Sequence, residues 1–176
     1  MEVRPEYFLS VITKTLQDVV LAALDDDQQI AQEQLKLAIG FLNIMAQNGP
    51  MQFAFDKDEL RRLTDHAKAL GDAVDESVAS KSAILRAQAT GEAATVDPAD
   101  LVAAARQLRL GISAMIEQGH GRRDPALDAT ISGLFNAFSR VQLERERAWV
   151  LPVGFENGPD AVASIASQMG LSSSGR

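Results

Sequence analysis

Residues 34–46, QLKLAIGFLNIMA, constrain this chain more than any other stretch. The run is helix-forming in composition and apolar on almost every side, with a thin polar edge at Lys36 and Asn43. A helix that is apolar all round belongs in a core or in a membrane. This one is too short for a bilayer, which needs about 20 apolar residues, and Glu33, Lys36 and Gln47 crowd it. The expectation is therefore a central post, with Leu37, Phe41 and Ile44 dry and the other helices laid against them.

Composition agrees with a helical core. The chain has 176 residues, 46% of them apolar and 5% aromatic, a mix that favours close helix packing over a sandwich of sheets. The predicted fold is all-α, an up-and-down helical bundle of about five main helices plus a short C-terminal one. It forms a single domain over 1–170, with a disordered tail at 171–176. A formal charge of −7 argues against nucleic acid and against anionic membrane as partners. Cysteine is absent, so disulfides, thiolate nucleophiles and Cys-ligated zinc are excluded. That suits a cytoplasmic protein, and the N-terminus shows no signal-peptide pattern.

The first helix should run over 5–24, starting on Pro5. Asp25, Asp26 and Asp27 then offer a cap for the second, with Gln28 or Gln29 completing a capping box. Asn48, Gly49 and Pro50 stop that helix, and residues 51–55 read as an apolar lid. In the third, Asp56 is the cap, Glu59 its reciprocal partner, and Phe55 with Leu60 a staple. Leu60, Leu63, Ala67, Leu70 and Val74 keep the 3-4 spacing of a left-handed helix pair.

Unbroken to residue 89, that helix would be about 50 Å long, against about 30 Å for its neighbours. Either it breaks near 77–82 or its second half overhangs and needs a partner. Residues 90–96 form a small-residue linker. Asp97-Pro98 and Asp124-Pro125 start two further helices, the former with a seam at Leu101, Ala105, Leu108, Ile112 and Met115. The latter should bury Leu127, Ile131, Leu134, Phe135, Phe138 and Val141, with Arg140, Glu144, Arg145, Glu146 and Arg147 wet. A second apolar connector, 148–155, precedes a short helix at 159–169.

Few residues are equipped for chemistry. Three consecutive aspartates on a helix start do not converge on one ion, and no fourth ligand is evident. Glu117 and His120 make one E-x-x-H, where helical di-iron sites use two. His66 is either an acid–base residue or a flanking polar group with a satisfied hydrogen bond. Gly119-His120-Gly121-Arg122-Arg123 places two arginines beside a helix start, a candidate anion site, although Asp124 competes for the cap. Candidate ligand-binding residues are thus His66, His120, Arg122 and Arg123, with no catalytic residue, metal or cofactor assigned. Gly40, Gly71, Gly111 and Gly133 lie inside helices at about 1 kcal/mol each relative to alanine. They imply close helix crossings or an interhelical pocket for an apolar or acyl ligand.

The opening, Pro5…Leu9…Val11…Leu16, then Val19-Val20-Leu21-Ala22-Ala23-Leu24-Asp25 and the apolar second helix, resembles a bacterial all-helical family. Its members carry V-L-P-A-L leading into the turn; Ala22 stands where that pattern has proline. They are often encoded near phosphotransferase-like and acyl-CoA dehydrogenase proteins. The resemblance covers about the first third of the chain and transfers no catalytic residue. It implies an accessory role near acyl-CoA or small-molecule metabolism. The functional expectation is a protein–protein interaction module that homodimerises through Val78, Ile84, Leu85, Trp149 and Phe155. A ligand-binding protein is the second reading, and an enzyme using His66 or Glu117/His120 the third.

Overall fold

Two apolar seams, each stepping by three and four residues, meet in one core. In the computed structural model, which describes residues 4–74, 78–93, 95–154 and 162–170 (backbone alone at Val78 and Ala79), both predicted seams are buried. The first lies on α3 (Gln52–Val74) and the second on α5 (Pro98–Gly121). Ile84 and Ala87 from α4 (Val78–Glu92) and Ile131 from α6 (Pro125–Val150) complete the cluster. With α1 (Pro5–Thr15), α2 (Gln29–Asn48) and α7 (Ile165–Gln168), the fold is all-α, and no strand occurs among the described residues.

Where the sequence reads as one bundle over 1–170, contacts divide the chain into two compact units. One is Phe53–Gln142. The other joins the two ends of the chain, Met1–Gln52 with Leu143–Arg176.

Within Phe53–Gln142, the first of the two alternatives for the long helix is found: α3 and α4 are separate helices and no 50 Å rod forms. A hollow is lined by Phe53 and Lys57 of α3 together with Gly91 and Glu92 of α4, so the end of α4 lies beside the start of α3. The chain doubles back, and residues 75–77 lie outside the described set. Doubling back buries Ile84, which is 5% exposed. Glu59 ties three helices, accepting from the Arg109 guanidinium at 2.6 Å and from Gln142 Nε2 at 3.3 Å.

The 51–55 lid and the Asp56 cap are both corrected. Pro50 opens a 3-10 turn over Gly49–Met51, and α3 begins directly after it at Gln52. Starting early puts Phe55 on the buried face, so packing overrides the local capping signal. The two Asp-Pro starts do behave as read. Asp97 accepts from the Ala99 N–H at 2.8 Å, and Asp124 from the Ala126 N–H at 2.9 Å.

The helix glycines separate into two kinds. A Cβ on Gly119 would run into the Ile131 side chain and lie 3.1 Å from Val74 Cγ1, so glycine permits a close crossing there. At Gly111 and Gly133 a Cβ would meet nothing within 4 Å. Gly111→Ala and Gly133→Ala should each raise stability by about 1 kcal/mol, because helix propensity is the only thing that changes. Gly119→Ala should lower it despite the same propensity gain. Urea unfolding of the three variants checks the contrast.

In the unit built from the chain ends, α1 packs on α2, and α2 packs on a 3-10 turn at Leu151–Val153. Gly40 makes the second contact possible, since a Cβ there would lie 2.9 Å from Val153 Cγ1 and 3.3 Å from its Cα. Asn48 Nδ2 donates to the Trp149 carbonyl at 2.6 Å, tying the end of α2 to the end of α6. The first helix is not regular over 5–24. It widens into a π turn over Leu16–Val20, closed by Leu21 N–H to the Leu16 carbonyl, and then tightens to a 3-10 turn.

Helix α2 is not the dry post. Only Ile39, Gly40 and Asn48 are buried along it, Leu37 and Ile44 are half-buried, and Phe41 is 54% exposed. One helix and one short turn cannot surround a cylinder, and so small a unit buries a correspondingly small share of its surface.

Candidate functional site

The predicted ligand residues are not brought together. His66, on α3, is buried and stacks on Phe138 of α6, with ring centroids 4.4 Å apart and planes within 12°. Its Nε2 is shut off from solvent and makes no hydrogen bond. Burial pushes the imidazole below its ordinary pKa. The ring is thus neither the satisfied polar flank nor an acid–base group facing a cleft. It is an aromatic core residue with an unmet polar atom.

His120 lies exposed in the last turn of α5, and Arg122 and Arg123 lie on the exposed turn that follows it. His120 Nδ1 is 2.7 Å from Asp128 Oδ1, which joins the two helix ends. Arg123 has a φ of 53°, in the left-handed region that non-glycine residues rarely adopt. The first amides of α6 are already met by the Asp124 carboxylate, which also accepts from Leu127 N–H at 3.4 Å. The cap that would receive an external anion is filled from within the chain. Glu117 is exposed, and no group of three or more His, Asp or Glu able to hold a metal occurs among the described residues.

The predicted interface residues also part company. Ile84 is in the core and unavailable, a correction that follows from the chain doubling back. Leu85, its neighbour, is 66% exposed. Trp149 is half-buried and lines a hollow near α1. Phe155 and the Val78 side chain lie outside the described residues.

The α3–α4 hollow, about 500 Å³, contains neither histidine. It is lined by Phe53, Ala54, Ala87 and Gly91 together with lysines and carboxylates. Arg61 in that lining is clamped by Asp58 at 2.7 Å and Asp65 at 3.4 Å. Gly91 lines this hollow and Gly49 lines the one beside Trp149, while Gly111 and Gly133 line neither.

The largest feature missed in the sequence is a surface. On α1, Tyr7, Phe8, Val11 and Ile12 are exposed, two pairs one helical turn apart, and Val19 and Val20 follow in the π turn. On α2, Ile30, Phe41 and Met45 are exposed at steps of eleven and four residues, both of which return to one side of a helix. Isolated exposed apolar residues are ordinary, but this many on one hairpin are not. The apolar-all-round composition was the available signal, misread as burial inside one chain.

Arg145 was missed in the opposite sense. It sits between exposed Glu144 and Glu146, yet is 1% exposed. Successive helix residues are rotated by about 100°, so wet neighbours do not make a wet residue. No helix is long and apolar enough to cross a membrane among the described residues. No family model matches the chain, and no curated protein or solved structure matches it either.

Proposed function

We propose that the protein is a self-associating helical interaction module whose docking surface is the α1–α2 hairpin. The observation that carries this reading is the exposed apolar set Phe8, Ile12, Ile30 and Phe41. A second copy is the favoured occupant. The hairpin carries exposed Lys14 and Lys36 as well as Asp18 and Glu33, both signs on one element, so that two copies of the same face can set opposite charges against each other. Helix α2, at 20 residues, is about 30 Å long. A face of that length and two helices wide offers roughly 600 Å² per copy, about 1,200 Å² in all, the lower end of stable interfaces.

The dimer surface expected from the overhang is thereby moved, from α4 to the N-terminal hairpin. Sedimentation equilibrium tests it. The unaltered chain should show twice the single-chain mass. Phe41→Glu should be monomeric with unchanged helix content, because a charge is then placed in an apolar contact. A chain that stays monomeric across the accessible concentration range overturns the proposal, as does a Phe41→Glu dimer of undiminished affinity.

A further inference from the structure

Resting on the hairpin pairing proposed above, we infer that α1 is an exchangeable arm. When two copies join, α1 leaves its own α2, turns over and lies on α2 of the second copy.

The reason is the side that α1 turns inward. From Pro5 to Leu16 only Glu6, Leu9, Thr13 and Leu16 are not exposed, and they recur at steps of three, four and three residues. Two of these four are polar, and each has an unmet atom. Glu6 Oε2 and the Thr13 hydroxyl are shut off from solvent and have no hydrogen-bond partner. A buried polar atom left unpaired is costly, and a charged one more so. Tyr7, Phe8, Val11 and Ile12 are exposed instead, on the opposite side of the helix at about 100° per residue. Thus α1 shows α2 the side less suited to burial. Turning over relieves both faults together, since the carboxylate and the hydroxyl reach water while the apolar stripe is covered.

The receiving surface is present on the second copy, whose α2 exposes Ile30, Phe41 and Met45. Exchange is reciprocal, so the α2 face that one arm uncovers is covered by the other. The connector permits the crossing. Residues 16–28, between α1 and α2, contain a π turn and a 3-10 turn, forms that often mark hinges. No residue of either turn is fully buried, so little packing opposes their opening. Drawn out at about 3.3 Å per residue, the connector spans about 40 Å, more than the length of α2.

The chain has no cysteine, so one introduced thiol reports on one side of the arm. Ile12→Cys marks the outward side and Thr13→Cys the inward side. Maleimide labelling of each full-length variant is followed from dilute to concentrated protein, with circular dichroism verifying the fold. Raising the concentration should slow labelling of Ile12→Cys and speed that of Thr13→Cys, each by about tenfold. If Ile12→Cys becomes protected while Thr13→Cys stays slow, the copies pair with the arm in place and the exchange is wrong. If neither rate moves with concentration, the copies do not pair through this hairpin, and the exchange falls with the pairing.

Thr13→Val gives a second answer with the outward side intact. It keeps the shape of the side chain, removes the unmet hydroxyl and so holds the arm on its own α2. Its dimer should dissociate about tenfold more readily in sedimentation equilibrium, the factor that one unpaired buried polar atom is worth. A Thr13→Val dimer as tight as that of the unaltered chain overturns the exchange and leaves the pairing standing.

Discussion

Leu70→Ala should cost about 2–5 kcal/mol of stability, the range for emptying a leucine site in a closed core. Leu70 has no exposed surface and stands in the middle of the α3 seam, where α3 is packed with α4, α5 and α6 residues. Its surroundings leave little room to collapse, since the cluster includes Leu63, Leu108 and Met115, each nearly or fully buried. Phe41→Ala removes a larger side chain, yet should cost only about 1 kcal/mol in dilute monomeric protein, because Phe41 is already 54% in water. Urea unfolding followed by circular dichroism separates the two. If Phe41→Ala proves the more damaging, α2 is the core after all, and the surface proposed for docking is lost with it.

His66→Phe should raise stability by about 1–3 kcal/mol, the cost of leaving a buried polar group without a partner. The substitution keeps a flat ring against Phe138 and removes the unbonded Nε2. It should also change the response to pH. Unfolded, the imidazole takes a proton as pH falls through about 6.5. Folded, burial delays protonation to a lower pH. Between those two values the unfolded chain holds more protons, so stability falls as pH falls, and the loss stops once the folded ring is also protonated. The phenylalanine variant lacks this contribution. Urea midpoints at about pH 8 and about pH 5.5 should therefore lie closer together in the variant than in the unaltered protein. A variant that is less stable at both values would show that His66 has a favourable partner in the folded chain.

The seams of α3 and α5 were legible because their pattern is narrow. One apolar stripe per helix leaves a single way to face the core, and every seam residue from Leu60 to Val74 and from Leu101 to Met115 is buried as read. The same logic fails for residues 34–46. An apolar set with no preferred side says that several surfaces want covering, but not what covers them. Composition cannot distinguish a neighbouring helix of the same chain from one supplied by another molecule. Gly119 shows a related limit. It reads as a helix stop, and α5 continues through it to Gly121, because the demand for glycine comes from Ile131 and Val74 on other helices.

Site residues were less legible for the same reason. His66 acquires its character from Phe138, distant in sequence, and a stacked ring leaves no spacing to read. His120 reads as lying beyond the helix end but is held inside α5, and its partner Asp128 lies eight residues on, across a turn. The anion site expected at that turn was already answered in the sequence by Asp124, and the structure fills the cap with it.

Since Met1–Gln52 and Leu143–Arg176 make one unit, its two parts are synthesised with residues 53–142 between them. Helices α1 and α2 leave the ribosome before residues 53–142 and must wait for all of them before the Leu151–Val153 turn can close over Gly40. Throughout that interval the hairpin is more naked than in the finished chain, which makes it a natural client for a chaperone and the region most prone to premature sticking between nascent copies.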